Sequence, residues 1–353
     1  MTVATKTQKR TMLAVQKPGP QPGFKLIQAE IPSPGPDEVL IKIALASVCG
    51  TDFHITNWDE WSAGRIKPPL IYGHEFCGFV SETGTNVKTF APGDYVSAEM
   101  HLTCETCRQC KAGNKHICEN VKIYGIDLNG CYAEYIVVAA RQVVKLPQSI
   151  KPEYGAFLDS LGNAVHAVSK VDVRNQVVHV VGCGPIGLFA IEVAKAMGAR
   201  AVYASDVAPF RINLAQKAGA TEVFAADKVK VSDEIKKLTD GEGVAVVFEM
   251  SGSAPAIADA LVSLQIGGTM VMMGIPKSPV EIDLNKDVIF KEAKLIGCNG
   301  RQIFGTWHLM LQLLDEGKLD LDFIITHHLK LDEFGTAMDL IKEGISGKIL
   351  LEP

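Results

Sequence analysis

Four cysteines crowd one short stretch: Cys104, Cys107, Cys110 and Cys118, with two residues between each of the first three and seven before the last. Such spacing lets one compact loop present four thiolates, and zinc takes four ligands tetrahedrally at about 2.3 Å. A closed shell leaves no place for a substrate, so this site is expected to hold a lobe in shape. An iron–sulfur cluster is the rival, since cysteine-only ligation and C-x-x-C spacings serve clusters too. A second set has mixed chemistry. Cys49 opens Cys49-Gly50-Thr51-Asp52-Phe53-His54, and His74-Glu75 begins twenty-five residues after it. One thiolate, one imidazole and one carboxylate, short of closure, are what a catalytic zinc uses.

The third constellation binds phosphate. Gly182-Cys183-Gly184-Pro185-Ile186-Gly187 follows the apolar run Val177 to Val181 and opens an apolar helical pattern. Gly182 permits the turn, Gly184 lets the backbone approach a pyrophosphate at the helix N-terminus, and Gly187 allows helix and strand to pack closely. Gly182, Gly184, Ile186 and Gly187 are therefore taken as cofactor-binding. Asp206 lies nineteen residues beyond Gly187, at the end of the next strand pattern. A carboxylate there accepts from a ribose 2′-hydroxyl and repels a 2′-phosphate, which favours NAD over NADP. Arg211, five residues later, is placed at the adenine or ribose region.

The elements that must position these residues follow from pattern and punctuation. The first half reads as short strands, Val39 to Ile43, Phe76 to Val80, Tyr95 to Ser97 and Tyr135 to Val138, separated by Gly, Pro and Asn. From about Asn163 the period changes: strand Val177 to Val181, helix Pro185 to Met197 closed by Gly198, strand Ala201 to Ser205. Helix Phe210 to Lys217, strand Val244 to Phe248, helix Ala254 to Leu264 and strand Thr269 to Met273 continue the alternation of a parallel sheet wrapped by helices. Helical patterns at Trp307 to Leu314 and Phe334 to Lys342 are too little for a third domain, so the C-terminus is expected to pack on the first.

The 353 residues suit two domains. Asp and Glu number 40 against 35 Lys and Arg, a net charge of −5, so no basic excess exists to neutralise a phosphate backbone and nucleic acid is not an expected partner. The longest uncharged apolar stretch, Ala260 to Pro276, is broken by glycines and falls short of the roughly 20 residues of a membrane helix. No secretory apolar region follows Lys6, Lys9 and Arg10, so a cytoplasmic location is expected. Nine cysteines in such a chain favour metal over disulfides.

In this order, the Cys49 to Asp52 segment, Gly73-His74-Glu75, the four-cysteine lobe and the glycine motif resemble the zinc-dependent medium-chain alcohol dehydrogenase superfamily over nearly the whole chain. Within it, Asn57 to Trp61, Leu161 to Val165, Gly300-Arg301 with Thr306-Trp307, and Ile324 to His327 are similar to segments of the L-threonine 3-dehydrogenase family. The resemblance implies an α/β fold: a mostly-β GroES-like catalytic domain, residues 1–160 and 304–353, and a doubly wound Rossmann coenzyme domain, residues 161–303. It implies Cys49, His74 and Glu75 as ligands of a catalytic zinc, with Asp159 a carboxylate that can enter or leave the shell. One catalytic and one structural zinc per chain are implied. Thr51 and His54 match proton-relay positions, His101 a histidine that influences substrate choice, and Arg301 a residue against the cofactor. The implied reaction oxidises the secondary alcohol of L-threonine to 2-amino-3-oxobutanoate with hydride transfer to NAD, in a homotetramer. A sorbitol-type polyol dehydrogenase is the alternative, and a non-catalytic nucleotide-binding redox sensor a remote one. The ten residues before Thr11 are assigned no role.

Overall fold

The computed structural model describes residues 10–353; most of the N-terminal extension lies outside the described residues. The β-rich part is built on the long strand Glu38–Ser47, whose Val39, Leu40, Ile41, Ile43 and Ala46 are buried. Phe76–Thr83 and Tyr135–Ala139 both pair antiparallel with it, and Tyr95–Ala98 and Val143–Lys145 extend the sheet. The chain's last strand, Lys348–Glu352, inserts between Glu38–Ser47 and Ile325–Lys330, with Leu350 opposite Ser47. The C-terminus thus closes the sheet that carries Cys49 at its edge.

The second sheet has six parallel strands in the order Glu222–Ala225, Ala201–Asp206, Val177–Val181, Val244–Glu249, Leu264–Met272, Lys294–Gly297. All five residues of Val177–Val181 are buried, as a central parallel strand covered on both faces requires. The strand order reverses beside it, between Ala201–Asp206 on one side and Val244–Glu249 on the other. Open α/β sheets bind ligands beyond the strand ends at such a switch point. Helix Pro185–Ala196 starts there, its Pro in the first turn where no amide N–H is needed, and Gly198 at φ +91° follows its end.

The expected elements are present with ends moved by a few residues; strand Leu264–Met272 starts five residues earlier than its pattern because Gly267 and Gly268 interrupt the apolar run. Helix Leu158–Ser169 has no counterpart among the expected elements. Ten of its twelve residues are buried, so it has no polar face to give it a helical period. The boundary expected at residue 160 falls inside this helix, which bridges the two sheets. Among the described residues no helix is long and apolar enough to cross a membrane.

Candidate metal centre and nucleotide cleft

Gly73 sits at φ +92°, and a Cβ there would lie 2.4 Å from the ring of Tyr132. Only glycine accommodates this turn, which delivers His74 and Glu75 beneath the N-terminus of helix Gly50–Asn57. Cys49 immediately precedes that helix. Donor atoms of Cys49, His74 and Glu75 all lie within 4.8 Å of one another. Behind them, Asp52 is fully buried; its Oδ2 accepts the Tyr132 hydroxyl at 2.6 Å and the Cys49 N–H at 2.9 Å, and its Oδ1 lies 3.8 Å from His74 Nδ1. Glu75 Oε2 pairs with buried Lys348 Nζ at 2.5 Å, while Oε1 is buried without a partner.

This trio fits a metal ion. Burial alone would push His74 down, but the negative charges of Asp52, Cys49 and Asp159 outweigh it and hold the imidazole up at about 10. Burial raises the Glu75 carboxyl, and its Oε1, buried with no hydrogen-bond partner, is left as a donor for a metal ion. Thr51, half-buried, lies beside Cys49, with Sγ to Oγ1 3.7 Å. His54 is exposed, its Nδ1 2.6 Å from Asp59 Oδ2.

Asp159 stands outside the trio. Its Oδ1 pairs with Arg301 Nη2 at 2.6 Å, and it acts on His74 and Glu75 as a nearby charge. Arg301, expected against the cofactor, lies in a buried ion-pair cluster. Its guanidinium is fully buried, held by Asp159 and by Glu99 Oε1, both at 2.6 Å. An uncompensated cation cannot be buried, so the two carboxylates fix its position. His101 joins the same cluster, its Nδ1 2.8 Å from Glu99 Oε1. Glu99 and Lys348 were missed. Glu99 is a lone acid in the apolar run Tyr95 to Met100, a signal that was available; Lys348, heading an apolar strand, carried none.

The four-cysteine lobe projects between Leu102 and Lys122, whose strands pair antiparallel and close its neck. The four Sγ atoms lie within 4.8 Å of one another; Cys118 is 3.5 Å from Cys104 and 3.9 Å from Cys107. These separations bracket the roughly 3.8 Å edge of a tetrahedron with 2.3 Å bonds and are far beyond a disulfide. Backbone N–H groups of Cys107 and Asn120 point at Cys104 and Cys118 sulfurs, as thiolates require. The Thr106 hydroxyl and N–H, with Cys107 N–H, bring the Cys104 thiol down to about 5.

In the nucleotide cleft, a Cβ on Gly187 would meet the Gly182 carbonyl oxygen at 1.9 Å, so helix and strand approach only through glycine. A Cβ on Gly184 would meet nothing within 4 Å: the space in front of the helix N-terminus is open, a cradle that a side chain would fill and a pyrophosphate fits. Ile186 is half-buried in the first helical turn. Asp206 Oδ2 accepts the Cys183 N–H at 2.7 Å and Oδ1 the Ala208 N–H at 2.8 Å, tying the glycine turn to the second strand. Arg211, on helix Pro209–Lys217, is near enough for its charge to oppose the rise that burial imposes on the Cys183 thiol.

Residues 35–148 match the alcohol dehydrogenase GroES-like domain and residues 185–316 the zinc-binding dehydrogenase domain. The L-threonine 3-dehydrogenase of Bacillus velezensis is 45% identical over 332 residues, 94% of this chain and 96% of the relative. The chain belongs to the L-threonine 3-dehydrogenase family. The Pyrococcus furiosus member is 43% identical over 340 residues, covering 96% of this chain and 98% of its own. A zinc-binding dehydrogenase of Sinorhizobium meliloti, solved bound to NADP, superposes with a TM-score of 0.89 at 30% identity, covering 98% of this chain and all of its own. As a member of this family the chain is a zinc-dependent oxidoreductase with GroES-like and Rossmann-like domains.

Proposed function

We propose that this chain oxidises the secondary hydroxyl of L-threonine to 2-amino-3-oxobutanoate with NAD as hydride acceptor. The observation that carries the reading is the Cys49, His74 and Glu75 trio, its donor atoms within 4.8 Å of one another, set in a chain that aligns with threonine dehydrogenases over 94% and 96% of its length. Cys49, His74 and Glu75 hold a catalytic zinc, and Cys104, Cys107, Cys110 and Cys118 a structural one. When bound, the catalytic zinc acts as a Lewis acid that favours alkoxide over alcohol, and the nicotinamide accepts the hydride.

The chain's own residues do the rest. Thr51 Oγ1, beside Cys49, takes up the hydroxyl proton as it passes its own on toward His54. His54, one helical turn on and exposed, releases it to solvent: the Asp59 carboxylate at 2.6 Å fixes the proton on Nδ1 and leaves Nε2 to accept. Asp52 orients the Cys49 and His74 pair, and Lys348 restrains Glu75. Asp159, a carbon shorter than Glu, stays with Arg301 and serves as a counter-charge. His101 faces the substrate and selects it. Gly182, Gly184, Ile186 and Gly187 seat the pyrophosphate; Asp206 takes the adenosine ribose and disfavours a 2′-phosphate, with Arg211 beside it.

The β-rich part with the C-terminal strands serves as the catalytic domain and the six-stranded parallel sheet with its helices as the coenzyme domain, helix Leu158–Ser169 joining them. The working assembly is a homotetramer in the cytoplasm. Among the described residues the edge strand Lys294–Gly297 has one unpaired side, and Ile266, Ile275, Ile289 and Phe290 are 63–90% exposed, which suits burial against another copy. The deciding experiment is the initial rate of NAD reduction by zinc-replete protein on L-threonine and on sorbitol. Turnover of threonine lost on chelation supports the reading; turnover of sorbitol alone makes it a polyol dehydrogenase.

A further inference from the structure

Glu99 engages three residues through both its carboxylate oxygens, and it belongs to none of the constellations of metal or nucleotide binding. It is fully buried at the end of strand Tyr95–Ala98. Its Oε1 lies 2.6 Å from Arg301 Nη2, 2.8 Å from His101 Nδ1 and 3.0 Å from His101 N, and its Oε2 accepts the Trp307 indole N–H at 2.8 Å. Three separate stretches of chain converge on one side chain: 99–101, Arg301, and the helix Gly305–Asp315 that carries Trp307.

The geometry decides the tautomer of His101. Nδ1 is 2.8 Å from a carboxylate oxygen and 3.3 Å from Arg301 Nη2. A bare Nδ1 lone pair would face the Glu99 anion at hydrogen-bond distance, which is repulsive, to gain one long contact from arginine. With the proton on Nδ1 the short contact becomes a charge-assisted hydrogen bond. The other ring nitrogen, Nε2, has no partner among the described residues and is not sealed from solvent. The neutral ring therefore presents an acceptor to the cleft, and its backbone, held by the same oxygen, cannot swing away.

We propose that Glu99 is a positioning residue for substrate selection: it locks His101 as the Nδ1–H tautomer with Nε2 turned outward, and Arg301 and Trp307 hold Glu99 in the place where it can do so. The proposal rests on the reading of His101 as the substrate-selecting residue. A histidine free to flip would offer N–H and lone pair in either order, and orientation errors of this kind cost about 10- to 100-fold in turnover efficiency.

The test is a double-mutant cycle of Glu99→Gln, His101→Ala and both, on zinc-replete protein, reading kcat and the KM values for L-threonine and NAD separately. Glu99→Gln should raise the threonine KM about 10- to 100-fold and leave the NAD KM within about twofold, and in the His101→Ala background it should add less than about threefold. A full, multiplicative loss in that background would overturn the proposal, because Glu99 would then act through the fold rather than through His101. Wild-type protein supplies a measurement that needs no stable Glu99 variant. With 15N-histidine labelling, and His101 assigned by its disappearance in His101→Ala, the neutral ring should carry its proton on Nδ1; an Nε2–H tautomer overturns the proposal. Wild-type protein that shows the Nδ1–H tautomer but does not oxidise L-threonine would overturn the substrate reading and leave the positioning of His101 standing.

Discussion

Lys348→Met tests whether a buried cation compensates the Glu75 carboxylate of the metal trio. Lys348 Nζ lies 2.5 Å from Glu75 Oε2 and 3.2 Å from the Val48 carbonyl, with the two side chains 1% and 0% exposed. Removing one partner leaves a buried carboxylate beside Asp159, and breaking a buried pair in this way costs about 3–5 kcal/mol. With an unfolding entropy of about 2.1 cal/mol/K per residue, a chain of 353 residues changes stability by about 0.7 kcal/mol per degree, so Tm should fall by about 4–7 °C. The assay is calorimetric melting of chelated and zinc-loaded protein. In the chelated form the fall should be complete; with zinc it should shrink, because a divalent cation at Cys49, His74 and Glu75 replaces the lost charge. Adding Glu75→Gln to Lys348→Met should recover most of the loss in the chelated form. A chelated variant melting within about 1 °C of wild type, or one that Glu75→Gln does not rescue, would refute the reasoning.

Cys49→Ala should abolish turnover while NAD still binds, measured by nucleotide fluorescence beside kcat; Cys104→Ala should chiefly lower Tm, and a normal kcat in the first would remove Cys49 from the catalytic centre. Asp206→Ala frees the Cys183 and Ala208 N–H groups as well as the ribose site, so the KM for NAD should rise about 10-fold with weaker rejection of NADP; unchanged cofactor preference in steady-state kinetics would contradict this. The Glu99 carboxyl would be raised by burial, but Arg301, His101 and Trp307 bring it down to about 2. With an unfolded value of about 4.3, its stabilisation is present above that pH and is lost as pH falls toward 2. Glu99→Gln should therefore flatten acid unfolding over that window, and an unaltered slope would count against the ionised network.

The motifs that name the chemistry were legible because they are short in sequence. Four cysteines within fifteen residues, a glycine turn between a strand and a helix, and Gly73-His74-Glu75 each bring their groups together through local backbone geometry, which residue type and spacing dictate. The parallel sheet was legible for the same reason, since apolar runs and helix punctuation are local signals. The short edge strand Lys294–Gly297, the buried helix Leu158–Ser169 and the closing strand Lys348–Glu352 were not, because their patterns lack a period or are too brief to show one.

What tertiary structure alone decided is the pairing of buried charge. Glu99 meets Arg301 across 202 residues of chain, and Glu75 meets Lys348 across 273. Neither pairing has a spacing that sequence could encode. Each exists because an ion removed from water must find its opposite, and only the packing of the two sheets brings those opposites together. So the sequence by itself determined which clusters of donors lie close together along the chain, while the fold determined that Arg301 is spent on Glu99 and Asp159, and that Trp307 closes on the same Glu99 carboxylate.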